Sequence, residues 1–544
     1  MPSLFPLLVS SWRQNKKGDN FSEKVIRSEE QWRRKTNPTR SLARIQARMN
    51  RMLSSASLLS NVNLPRQNEN KLTKALFYAI IVASIGSIQF GYHLSELNAP
   101  QQVLSCSEFN IPLEGYPYDR TWLGKRGYKQ CIPLNDEQIG IVTSFFCIGG
   151  ILGSYFAASL ANIYGRKFSS LMNCTLNIIG SLIIFNSNSY RSLIIGRFLV
   201  GISCGALIVI IPLFIKEVAP SGWEGLLGTM TQICIRLGVL LTQGVALPLT
   251  DSYRWRWILF GSFLIAVLNL FMWFKVDESP KWLLAHGRVI DAKSSLCNLR
   301  GGTFEEAAQE IQKWQQQIES GESLIEPTTT NSINGSNSLW KYLRDESNIK
   351  PRHVITVLLF GQQFCGINSI VLYGTKIISQ LSPQNAIKIN FSISLVNVLV
   401  TILVSLLIYN FPRKPLLMTS TILVSITAFI MGMAMNYNKM NLLIVFSFIY
   451  MGVFTMGLNP LPFIIMREIS SPQDMVLAQR YGTICNWLGT FIVAYSFPII
   501  HDILSGYVFV IFAFVACSMS VYIWKRVPET NKREAHYNDI WANH

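Results

Sequence analysis

The sequence predicts an all-α polytopic membrane protein, with twelve transmembrane helices arranged as two halves of six. Three observations carry that prediction. Of 544 residues, 49% are hydrophobic and only 15% charged. The apolar residues fall into twelve long blocks, and motifs of the first half return in the second at a nearly constant offset. A helix needs roughly 20 apolar residues to cross the hydrocarbon core. Only helices and closed barrels satisfy their backbone groups in lipid, and the alternating pattern of a barrel is absent.

The chain begins with a basic tail, residues 1–73, holding fourteen Lys and Arg against five acids, or +9 of the net +17. Positive charge ahead of a first span marks a cytoplasmic N-terminus, with weak attraction to anionic lipid and no call for nucleic acid. The tail has no apolar core of a signal peptide. Its basic, roughly amphipathic stretch 41–59 reads as solvated chain, with a membrane-surface helix or an organelle presequence as the alternatives. Spans are expected near 74–95, 138–160, 168–187, 192–214, 227–249 and 255–275, the first half being 74–275. A charged linker, 276–352, follows, with a helix over 304–320 and a flexible run at 326–338. The second half, 353–525, has spans near 353–377, 388–408, 415–435, 442–466, 479–501 and 507–525, and 526–544 form a cytoplasmic tail. An even number of spans returns the C-terminus to the starting side, where "GRK" (165–167) and "RK" (413–414) also fall. One copy of such a chain suffices, so a monomer is expected, in a vacuolar or the plasma membrane.

The repeat is specific. Val276 of "VDESPKW" answers Val527 of "VPETNKR", Ile233 answers Ile484, and Glu217 answers Glu468, each 251 residues on. Lys167 answers Lys414 at 247. Parallel repeats of this kind build transporters whose halves rock about a central site.

Ten cysteines contain no CxxC pair, so no zinc site, metal or cofactor is expected. Cys106 and Cys131, both in the polar loop after span 1, are disulfide candidates on the non-cytoplasmic side. Asn334 and Asn390 head glycosylation sequons, the first on the wrong side and the second close to the membrane. No P-loop, Ser/His/acid spacing or metal cluster points to a pump or an enzyme.

The stretch "FGQQFCGINSIVLYG" (360–374) holds three carboxamides inside an apolar run. A carboxamide both donates and accepts, as sugar hydroxyls do, without carrying a charge. On a straight helix Gln363 and Asn368 point about 140° apart. They can meet only across a break, and Gly366 is placed to make one.

With "GSIQFGYHLSELNAPQ" (86–101), "GRFLVG" (196–201), "PLFIKEVAP" (212–220), "DESPKWLL" (277–284), "QQFCGIN" (362–368), "NPLPF" (459–463), "CNW" (485–487) and "PETNKR" (528–533), the chain resembles the sugar porter family of the major facilitator superfamily, above all its facilitative hexose transporters. The resemblance implies the major facilitator fold and a carrier of a hexose or related polyol working by alternating access. A proton-coupled symporter, or a non-transporting sugar sensor or trafficking component, are the other readings. It implies that Gln232, Gln362, Gln363, Asn368, Asn397 and Asn486 line a central cavity, with Phe463 where tryptophan is usual. It also implies a cytoplasmic ion-pair gate of Arg166, Arg197, Glu217, Glu278, Arg413, Glu468 and Glu529.

Three departures stand out. Asn162, Ile163, Tyr409, Asn410, Glu224 and Met475 replace charged residues usual in that gate, which predicts a bias toward inward-open states, slow cycling or a lost transport role. His93 stands where facilitative members have asparagine and proton-coupled ones aspartate, with Glu96 one turn on and Arg197 as natural partner. That set is either a proton relay or a neutral substitute. Arg236, one turn after Gln232, either meets an anionic substrate or pairs with an acid on a neighbouring helix.

Overall fold

The computed structural model describes residues 73–107, 117–220, 223–319, 339–408, 411–471 and 474–530, without the side chains of 224–226, 318 and 319. The basic tail up to 72 with its stretch 41–59, the run 326–338 with Asn334, Tyr409, Asn410, the Glu224 side chain and the residues after Thr530 lie outside that description.

Among the described residues, twelve helices are long and apolar enough to cross a membrane. In the first half they are Lys74–Ser95, Asp136–Tyr164, Arg166–Phe185, Tyr190–Val218, Glu224–Leu249 and Trp255–Trp273. Their ends follow local chemistry. Thr73 caps span 1 by accepting from Leu76 N, and Asn135 with Gln138 forms a reciprocal capping box on span 2. In the second half, spans 8, 9, 11 and 12 are Ala386–Leu407, Arg413–Asn436, Met475–Leu504 and Tyr507–Arg526. The linker carries helices Pro280–Ala285, Val289–Arg300, Phe304–Glu319 and Leu339–Arg344.

Close packing within a half uses glycine where backbones touch. A Cβ on Gly91 would lie 1.9 Å from Ile235 O, and one on Gly153 would lie 1.9 Å from Ile202 O. Small residues that let helices approach are the normal glue where lipid supplies no hydrophobic drive. Between halves, span 2 lies on span 11 and span 5 on span 8.

Spans 7 and 10 are interrupted. Span 7 runs as Ile349–Gly361, tightens to a 3-10 turn at Gln362–Cys365, and restarts at Ile367–Ser379. The hinge is Gly366, with φ +101°. The Cys365 carbonyl freed there accepts from Tyr450 Oη at 2.7 Å. Span 10 runs as Met440–Val453, widens to a π-turn at Phe454–Leu458, and resumes at Leu461–Glu468 after Asn459-Pro460. Ser420 stitches that turn, donating to Val453 O at 2.6 Å and accepting from Leu458 N at 3.0 Å. Broken helices survive in a membrane when protein groups satisfy the freed backbone in this way.

Cys106 and Cys131 are joined by a disulfide. It marks one end of the bundle, and the linker marks the other. Hydrogen bonds between the halves gather at the disulfide end. Asn98 donates to Val371 O at 2.9 Å and accepts from Thr375 N at 3.0 Å, and Gln102 donates to Ser379 at 2.9 Å. Lys376 Nζ lies 2.5 Å from Asp136 Oδ1.

Candidate functional site

The break at Gly366 brings together what a straight helix would separate. Asn368 Nδ2 donates to Gln363 Oε1 at 2.7 Å and lies 3.4 Å from Thr490 Oγ1 of span 11. Thr490 sits one turn beyond Asn486, which is half-buried. Gln362 is buried, and its Oε1 has no hydrogen-bond partner. Phe463, just past the Asn459-Pro460 interruption, is half-buried.

From the first half, Gln232 is exposed along span 5. One turn on, Arg236 Nη2 donates to Asn459 Oδ1 at 2.8 Å. That bond crosses between the halves midway along span 5, twelve residues after Glu224 and thirteen before Leu249. The sequence pattern singles out Arg236 but not its partner; the signal for Asn459 is its place beside the unwound turn. Asn397 stands apart from this group. Its Oδ1 accepts from Thr455 Oγ1 of span 10 at 2.9 Å, an interhelical bond of the kind that holds helices together.

The His93 group is sealed. Glu96 Oε1 accepts from Arg197 Nη1 at 2.9 Å, and Glu96 Oε2 lies 3.0 Å from His93 Nδ1. His93 Nε2 lies 2.7 Å from the Asn177 amide, and the Arg197 guanidinium sits 4.6 Å from the centre of the Phe146 ring. All five residues are within 1% of complete burial. Glu96 therefore does not reach the bundle surface. Arg197 also departs from its expected place. It lies seven residues into span 4, while Glu217 lies twenty residues further, which at 1.5 Å per residue is about 30 Å away. It belongs to the His93 cluster and not to the linker-end ion pairs.

Those ion pairs occur twice, nearly atom for atom. In the first half Arg166 Nη2 meets Glu217 Oε1 at 2.6 Å and Nη1 donates to Ala161 O at 2.9 Å. Glu278 accepts from Arg166 N at 2.9 Å and Lys167 N at 3.0 Å, an anion seated on the start of a helix. Burial pushes the Glu278 carboxyl above its ordinary range, and the N–H donors of Ser279, Lys167 and Arg166 pull it back. In the second half Arg413 Nη1 donates to Ile408 O at 2.6 Å, and Glu529 accepts from Arg413 N at 2.9 Å and Lys414 N at 3.1 Å. Here the ion pair is looser: Arg413 Nε lies 3.6 Å from Glu468 Oε1, and Thr530 donates to the other Glu468 oxygen. A cleft of about 470 Å³ between Tyr164, Phe168, Trp282 and Arg288 adjoins the first lock. It lies away from the carboxamides.

Asn390 is buried inside span 8, where its amide donates to Thr375. That sequon is closed to a glycan.

Comparison with known proteins agrees with this architecture. The profile of the family described as "Sugar (and other) transporter" matches residues 79–541. Vacuolar protein sorting-associated protein 73 of Saccharomyces cerevisiae is 87% identical over 484 residues, covering 89% of this chain and 100% of that one. Solute carrier family 2, facilitated glucose transporter member 4 of Mus musculus is 27% identical over 492 residues, covering 86% and 90%. The inward open conformation of the xylose transporter XylE from E. coli superposes with a TM-score of 0.67 at 20% identity, over 86% of this chain and 99% of that one, and so shares the fold. The matched length, the twelve spans and the duplicated locks lead to one conclusion: this chain belongs to the sugar transporter family.

Proposed function

We propose that the protein carries a hexose-like sugar or polyol across a membrane by alternating access, without ATP and without an obligatory proton. The observation that carries this reading is the contact of Gln363 with Asn368 across the Gly366 break, beside Thr490 of span 11, together with the bond from Arg236 of span 5 to Asn459 of the other half. Carboxamides drawn from both halves supply donors and acceptors for hydroxyls at the seam about which the halves rock. The relatives named as facilitated glucose transporters, similar over most of the chain, support the same substrate class. Asn397, tied to Thr455, serves as helix glue in this reading, and the remaining carboxamides bind.

Facilitated movement is favoured over symport because Glu96 is already neutralised by Arg197, and both His93 nitrogens are engaged away from solvent. The linker end is assigned to the cytoplasm, with both termini, because the basic tail leads into span 1 there. The disulfide then lies on the oxidising side. The bonds between the halves at the disulfide end support an inward-facing state on this orientation.

A second reading, a trafficking component that keeps the carrier fold, is favoured by the name of the relative 87% identical to this chain and by Asn162 and Ile163 in place of gate charges. Purified protein in liposomes separates the two. Saturable counterflow of a labelled sugar, equal at pH 5.5 and 7.5 (about a hundredfold in proton activity) and abolished by Asn368→Ala, is the expected outcome. No flux of any sugar in active-site-intact protein would reject the carrier reading.

A further inference from the structure

Arg236 is the odd member among the buried arginines. Arg166, Arg197 and Arg413 each face a carboxylate. Arg256 has none, but its guanidinium donates to four oxygens: Lys129 O, Phe185 O, Ser187 O and Asn188 Oδ1. Arg236 is 9% exposed and, among the described residues, makes one hydrogen bond, to the neutral amide of Asn459. Its Nε is buried without a partner. A guanidinium stays protonated in any protein environment, so a full positive charge sits in the middle of the bundle with nothing to balance it. An uncompensated buried charge is among the costliest features a fold can keep.

Position gives that charge a purpose. Arg236 shares a helix face with Gln232, one turn before it, and with Gln243, seven residues after it. The Gln243 amide is buried with neither nitrogen nor oxygen partnered. In the second half, span 7 carries the unpartnered Gln362 Oε1 and the Gln363–Asn368 pair. The site thus offers neutral donors and acceptors for hydroxyls and a single cation with free edges.

We propose that the substrate is a sugar bearing one negative charge, an aldonic or uronic acid, whose carboxylate docks on Arg236 while its hydroxyls bond the carboxamides. This rests on the carrier reading above and narrows its substrate. One guanidinium balances one carboxylate and can hold it through two parallel N–H donors, a geometry stronger than a neutral hydrogen bond. A dianionic sugar phosphate would leave one charge over. The bound carboxylate would also lie at the Arg236–Asn459 bond and so tie the two halves together at mid-depth.

The test compares glucuronate, glucose and glucose 6-phosphate on purified protein. First, the thermal stability of wild-type protein in detergent is read with each compound, which needs no variant. Then uptake into liposomes is measured for wild type, Arg236→Gln and Arg236→Lys. Glucuronate is expected to stabilise the wild type most and to be taken up at least tenfold more effectively than glucose. Arg236→Gln should lower that preference at least tenfold, with Arg236→Lys in between. Glucose carried well and glucuronate not at all would overturn the inference while leaving the carrier reading intact. A preference for glucose 6-phosphate would overturn the single-charge assignment. No binding or flux of any of the three would overturn both.

Discussion

Arg197 and Arg236 lie on adjacent helices of the first half, both buried, and the protein treats them in opposite ways. Arg197 is surrounded: Glu96 takes its charge, the His93 carbonyl accepts a second N–H at 2.8 Å, and Phe146 stacks beneath it. Arg236 reaches across the seam to one neutral amide. A cation whose neighbours are complete belongs to the architecture. A cation left incomplete at a contact between the halves has room for a further partner.

The sharpest way to break this comparison is to remove each charge. Arg197→Leu strands Glu96 in a dry interior, and breaking a buried pair in this way costs about 3–5 kcal/mol. We expect a large fall in thermal stability and little folded protein. Arg236→Leu strands no charge, only the half-buried Asn459 amide that loses its donor, so its stability should change by about 1 kcal/mol or less, or rise. Thermal unfolding in detergent reads both; equal losses would remove the distinction.

The two linker-end locks offer a gentler comparison. The first holds its ion pair at 2.6 Å with Glu217 4% exposed, the second at 3.6 Å with Glu468 30% exposed. Glu217→Gln should therefore cost about 2–3 kcal/mol, and Glu468→Gln about 1 kcal/mol or less. The same melts check the order, and a larger loss at Glu468 would show that the longer pair is the one under load.

Smaller again is the hinge. Gly366→Ala puts a side chain on a backbone at φ +101°, with its Cβ 2.5 Å from the Phe512 ring. The left-handed strain alone is worth about 1–2 kcal/mol. Asn368 should be turned away from Gln363, so sugar binding falls more than stability does. Binding unchanged in a destabilised protein would mean that the break does not shape the site.

Much of this was legible in the sequence, for identifiable reasons. Span ends follow apolar blocks and caps, so the expected 74–95 is the helix Lys74–Ser95. The interruption of span 7 followed from the angle between Gln363 and Asn368 and the glycine between them. The π-turn of span 10 was not legible, because nothing in "FTMGL" (454–458) distinguishes it from an ordinary turn; Ser420, from another helix, completes it. Arg197 was grouped by motif with the linker-end charges, although its distance from the Ser189 cap already set it at the other end of span 4. The Arg236–Asn459 bond was beyond reach, since periodicity orders residues along one helix and says nothing of which residue faces them from the other half.

The central claim is that Gln363, Asn368 and Arg236 form one ligand site at the seam between the halves. Equilibrium binding of a labelled sugar acid to purified wild-type, Asn368→Ala and Arg236→Gln protein tests it most directly. Saturable binding to the wild type, weakened at least tenfold by each substitution, is the predicted result. Binding of equal strength in all three proteins would contradict it.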